Sequence, residues 1–138
     1  MANSISVQTN ITNVGDVGRN SLSSNITTYT TSSAGYFVGS ATVGSGYSAL
    51  GAAITSLPDV LLLTVTNDNT LYSASVVAIS GSNANGTPIG ATLIPGSQAI
   101  LPNSQSITSI SAKVIGGWPI GTPTPASASL AWTVQGWQ

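Results

Sequence analysis

The chain contains no histidine, no cysteine and no glutamate, and its 138 residues include two Lys or Arg and three Asp. A metal site built on imidazole or thiolate is therefore excluded, as are Ser-His-Asp and Cys-His nucleophilic catalysis. Two cations do not neutralise enough phosphates to hold a nucleic acid. The longest strongly apolar run, Val60-Leu61-Leu62-Leu63, falls far short of the ~20 residues that span a bilayer, so no membrane partner is expected. Met1 is followed by neither a cationic stretch nor an apolar run, so no secretory leader is expected. Without cysteine there is no disulfide framework from which to read the compartment. Charged residues make up 4%, against about 25% in ordinary globular chains. Disordered chains combine low hydrophobicity with high net charge, whereas here mean hydropathy is +0.32 and net charge −1. The length fits one domain of the common ~100–150-residue size.

What the chain does have is Ser, Thr, Val and Ile, punctuated by 15 Gly, 7 Pro and ten Asn. β-branched residues suit strands, and Gly, Asn and Pro suit turns. No stretch sustains an apolar stripe of period 3.6, so the pattern predicts an all-β fold. Residues 4–12 alternate as one strand, with Ile5, Val7 and Ile11 on one side. Strands follow at 25–31 and 35–43, while 46–57 reads equally as a short helix or a loop. The run at 60–67 reads as a strand buried on both faces. Asn67-Asp68-Asn69-Thr70 reads as a turn that sends 71–80 back antiparallel to it. Asn85-Gly86 marks a hairpin, and Pro95-Gly96 separates strands at 89–94 and 98–101. The last strands are 106–115 and 128–135, with Leu130, Trp132 and Val134 on one face. Between them, 116–126 is a Gly/Pro-rich loop holding Trp118. About eight short antiparallel strands with frequent turns match a jelly-roll-like β-sandwich or barrel. Residues 1–35 are the least apolar and read as an N-terminal arm with the first strands, ahead of the sandwich at 36–138.

Few side chains are candidates for chemistry. Asp59 and Asp68 would form a glycosidase-type carboxylate pair if they faced each other, but both lie in turn-like sequence. Asn67-Asp68-Asn69 lacks the Gly and bidentate Glu of a calcium loop. Asp16 and Arg19 are spaced for a surface ion pair, or for anchoring the arm to a partner. The sequons at Asn10, Asn25 and Asn85 follow from composition alone. Trp118, Trp132 and Trp137 with the four tyrosines suit either a glycan platform or, for Trp118 and Trp137, a subunit interface, with Trp132 in the core. No catalytic residue, cofactor or metal ligand is assigned.

The missing charge is the most informative feature. A free monomer usually carries a charged surface and guards its sheet edges with Lys or inward-pointing charge. One Lys and one Arg serve every edge of this chain. Its edges are then closed, or paired within an assembly.

Four segments carry a resemblance: Ser56-Leu57-Pro58-Asp59 running into Val60–Asn69, then Val76-Val77-Ala78-Ile79, then Leu93-Ile94-Pro95-Gly96-Ser97 with Ala99-Ile100-Leu101-Pro102, then Ile110-Ser111-Ala112-Lys113. In this order they resemble small β-sandwich virion proteins of tailed bacteriophages over roughly residues 38–135, and Leu130–Val134 is similar to their last strand. The resemblance implies a non-enzymatic capsid decoration or cement protein on the virion surface, made in the host cytoplasm. Such proteins form trimers or other small homo-oligomers that bridge major capsid protein subunits. The chain departs from that group in its very low charge, which favours apolar contact and strand addition over electrostatic docking. On this reading residues 1–20, with Ile5, Val7, Ile11 and Arg19, contact the shell, and Trp118 and Trp137 contact sister copies. The alternatives are a tail-fibre or lectin-like glycan-binding module, and an adhesin, pilin or surface-layer subunit.

Overall fold

The computed structural model describes residues 3–7, 10–15, 18–23, 27–31, 34–68 and 74–137, by backbone alone at 3–34, 102–104 and 137. It divides into two compact units, Met1–Ser33 and Ala34–Gln138. In the first, β1 (Asn3–Val7) pairs antiparallel with β4 (Thr27–Thr31), and β2 (Asn10–Gly15) with β3 (Gly18–Ser23). The stretch expected as a single strand over 4–12 is thus two. Ile5 and Val7 lie on β1, Ile11 on β2 and Arg19 on β3; Asp16, and with it the expected ion pair, lies outside the described residues.

The second unit is an all-β sandwich. Its elements are β5 (Ala34–Val43), β6 (Ser48–Ala49), a five-residue helix α1 (Ala52–Ser56), β7 (Asp59–Asn67), β8 (Ala74–Asn83), β9 (Pro88–Leu93), β10 (Gln98–Gln105), β11 (Ile107–Trp118) and β12 (Ala128–Trp137). One sheet has the order β10-β7-β12-β5, the other β6-β11-β8-β9. The pairing is nested: β5 with β12, β6 with β11, β7 with β10, β8 with β9. The chain behaves as one long hairpin rolled up on itself, which is jelly-roll winding.

Alternation places one face of each sheet inward. On β12, Leu130, Trp132 and Val134 share the buried face, as their spacing predicted, and Ala128 joins them. They meet Val77, Ile79, Ile110, Ala112 and Val114 from the opposing sheet in one continuous core. α1 contributes Ile54, fully buried.

Three expectations need correction. The segment after Asn67 does not return beside β7: β8 pairs with β9 and β11 in the other sheet. Asn67 ties the start of this crossing to the opposite sheet. Its side chain is fully buried and its Nδ2 donates to the carbonyls of Ser75 (2.8 Å) and Leu93 (3.2 Å), both in the opposite sheet. Second, β7 is buried on one face, not two. Pairing with β12 skips Leu61, so a bulge brings Val60 and Leu63 to the same inner face while Leu61 and Leu62 are half-exposed. Third, Trp118 belongs to β11 and not to the loop, because Gly116, Gly117 and Trp118 continue the ladder opposite Val76, Ser75 and Ala74.

Two turns carry the expected chemistry. Asn83 Oδ1 accepts from the backbone N–H groups of Asn85 and Thr87 in the β8–β9 hairpin. Ile94-Pro95-Gly96-Ser97 forms a turn closed by Ser97 N–H to Ile94 O (3.1 Å), with Gly96 at φ 76° where an L side chain is strained. This turn carries the chain from one sheet to the other and is tied to β7 by Gly96 N–H to Asn67 O (2.8 Å).

Candidate contact surface

The expected carboxylate pair is not assembled. Asp59 opens β7 and Asp68 follows its last residue, so strand rise alone separates them by roughly 30 Å. Paired glycosidase carboxylates stand ~5–10 Å apart. Asp59 has one carboxylate oxygen, Oδ1, buried without a hydrogen-bond partner, and burial pushes its carboxyl above the ordinary value of 3.8. Asn67 turns inward to bind backbone carbonyls and does not present a cation ligand. Lys113 lies over the ring of Tyr47, 4.6 Å from its centroid.

The conspicuous surface features are apolar. β11 has a bulge at Ile115, three residues before its end, where the register shifts between Val114 and Gly116 and the Ile side chain is left exposed. Trp118 closes the strand, partly exposed, and is followed by the cis-linked Pro119. Pro119 to Thr122 is a turn closed by Thr122 N–H to Pro119 O (3.0 Å), with Gly121 at φ 94°. Its geometry puts Ile120 at the tip, 92% exposed. Beneath the turn lies an open groove of about 360 Å³ whose lining includes Val76, Ile115, Ile120, Thr122 and Thr124. A second groove, about 420 Å³, runs between α1 and β11 with Ala52, Thr55, Thr108 and Ile110 in its lining. Among the described residues, no ionisable side chain lines either groove. Their walls offer shape, hydroxyls and apolar surface.

A second apolar surface is the outer face of the β5-containing sheet. One row across it reads Val38, Thr133, Thr64, Ile100; the neighbouring row contains Tyr36, Gln135 and Leu62. Tyr36 is 60% and Val38 63% exposed, and the two threonine hydroxyls in the middle of the face bond to each other.

Of the residues singled out by sequence, Trp118 is on the surface beside Ile120. Trp137 is the last residue of β12, opposite Ala34 and Asp59. Ile5, Val7, Ile11 and Arg19 lie in the N-terminal unit as backbone positions. Sequence reasoning missed Ile115, Ile120 and Val38, and took Tyr36 only as one of the four tyrosines of a candidate glycan platform. Ile120 was signalled by its place between Pro119 and Gly121, since a residue at a turn tip has no core to enter. No protein-family model matches the chain, and no curated protein matches it.

Proposed function

We propose that this chain is a structural subunit of a virus particle, a capsid decoration or cement protein of a tailed bacteriophage that bridges major capsid protein subunits. The observation that carries the reading is the pair of exposed apolar residues Ile115 and Ile120 lining one groove, with Trp118 exposed between them in sequence, on an almost uncharged chain. Isolated exposed apolar residues are ordinary, but apolar side chains that share one exposed groove are the form of a protein contact. The jelly roll supports the reading because it serves capsid and lectin domains alike. The described lining of both grooves, made of apolar, Gly, Ser and Thr residues, favours contact over chemistry.

In this role the turn at Ile120 and the N-terminal unit, with Ile5, Val7, Ile11 and Arg19, meet neighbouring subunits, and Trp137 lies at the same kind of contact. Many weak copies of one contact add through multivalency on a shell. The test is uptake of the purified chain by phage heads lacking decoration. The wild type should saturate at a fixed copy number and raise the temperature at which heads release DNA. Ile120→Asp should weaken uptake by about tenfold or more, the loss of roughly 1.4 kcal/mol. Binding of Trp118→Ala-sensitive glycans on an array, with no uptake by heads, would move the protein to the lectin-like alternative.

A further inference from the structure

We infer that the outer edge of β5, which has no second strand partner among the described elements, is a self-association site, at which a second copy of this chain adds its own β5 antiparallel across a two-fold axis. The sandwich has four outer strands, and three of them are blunted. β6 is only two residues long. β9 is six residues long and begins with Pro88. β10 carries Pro102 and a register shift between Pro102 and Gln105. Prolines, bulges and short length are the devices by which sheets refuse further strands. β5 has none of them. It runs for ten residues, contains no proline and no charged side chain, and pairs with β12 at ten consecutive positions without a shift. Among the described elements β12 is its one strand partner. About half of its N–H and C=O groups therefore point away from the sheet in regular alternation.

The occupant that fits this edge is a second β5. Self-pairing puts like side chains near one another, which penalises any edge carrying charge, and residues 34–43 carry none. A two-fold axis normal to the sheet keeps each face on its own side. Tyr36 and Val38, the two highly exposed apolar residues of the strand, then form a strip across the junction with their counterparts. Backbone bonds supply the pairing and this strip supplies side-chain burial, the combination that strand addition uses. The join merges two four-stranded sheets into one of eight strands. It also makes the oligomer number even, where the phage resemblance implies trimers or other small homo-oligomers. The inference deepens the structural-subunit reading and names the contact between copies.

Sedimentation of the full chain over a concentration series, with hydrogen exchange, tests it. The wild type should reach an even multiple of 13.7 kDa. Val38→Lys and, separately, Ser40→Lys place like charges at the junction on exposed positions and should each halve that mass without lowering the thermal midpoint. Amides of residues 34–43 should lose protection in step, while Trp118→Ala keeps the wild-type mass. A mass of three chains that neither lysine variant changes, or one that only Trp118→Ala reduces, overturns the edge contact and leaves the structural-subunit reading standing. A single-chain mass at every concentration also overturns it, and head uptake then decides the wider reading separately.

Discussion

Trp132 on β12 fills the space that a side chain at Gly39 on β5 would need: a Cβ at Gly39 would come within 2.3 Å of the indole Cζ2. The two are direct cross-strand partners. Gly51, just before α1, meets the same ring atom at 2.6 Å, and the indole Nε1 donates to Leu50 O at 3.0 Å. One tryptophan thus seats the edge strand and the β6–α1 segment at once. Gly39→Ala is expected to destabilise the fold by about 1–3 kcal/mol through overpacking. Trp132→Ala should cost about 3–5 kcal/mol by leaving a cavity. Urea unfolding measures both, and an unchanged midpoint for Gly39→Ala would contradict the contact.

Asn67 yields a second expectation. Its amide satisfies Ser75 O and Leu93 O inside the sandwich. Asn67→Leu has comparable bulk but leaves these carbonyls without their donor, at about 1–3 kcal/mol for each group left unsatisfied. Asn67→Asp replaces a donor with an acceptor and should be worse at neutral pH. Chemical denaturation ranks the three proteins, and a Leu variant as stable as wild type would remove the cross-sheet role.

Asp59 makes stability depend on pH in a stated direction. Burial raises its folded-state value above the ordinary 3.8. Below the unfolded value both states are protonated and the group costs nothing. As pH rises past that value the unfolded chain ionises first, so stability falls until the folded carboxyl has ionised too. Asp59→Asn should lose this decline and be the more stable protein at neutral pH. Unfolding curves from about pH 3 to 7 test it. Parallel pH profiles for the two proteins would show that the buried oxygen has no energetic consequence.

The exposed apolar residues should be silent in the isolated fold. Ile120→Ser is expected to leave thermal stability within about 0.5 kcal/mol, since the side chain packs against little of its own chain. It should instead lower retention on a hydrophobic column. A large drop in stability would place Ile120 in the core of its own domain.

Much of the architecture was legible in the residues. Period-two alternation at Leu130, Trp132 and Val134, and the turns at Asn85-Gly86 and Pro95-Gly96, are local chemistry that a sequence displays directly. The pairing of β7 was not, because the link from Asn67 to Ala74 looks like a hairpin but crosses between sheets, held by side-chain bonds to residues 8 and 26 positions away. The Leu61 bulge was also hidden, since an apolar run reads as doubly buried whether or not one residue is skipped. The contact surface was half visible: Trp118 stood out by type, whereas Tyr36 and Val38 became conspicuous only once β5 was an outer strand.

Electron cryomicroscopy of phage heads mixed with the purified chain tests the central claim most directly. A subunit that works by contact should appear in symmetric, repeated copies on the outside of the shell, with Ile120 and Trp118 buried against a neighbouring protein. Particles that lack it, or copies whose Ile120 turn faces open solvent at every position, would contradict the account.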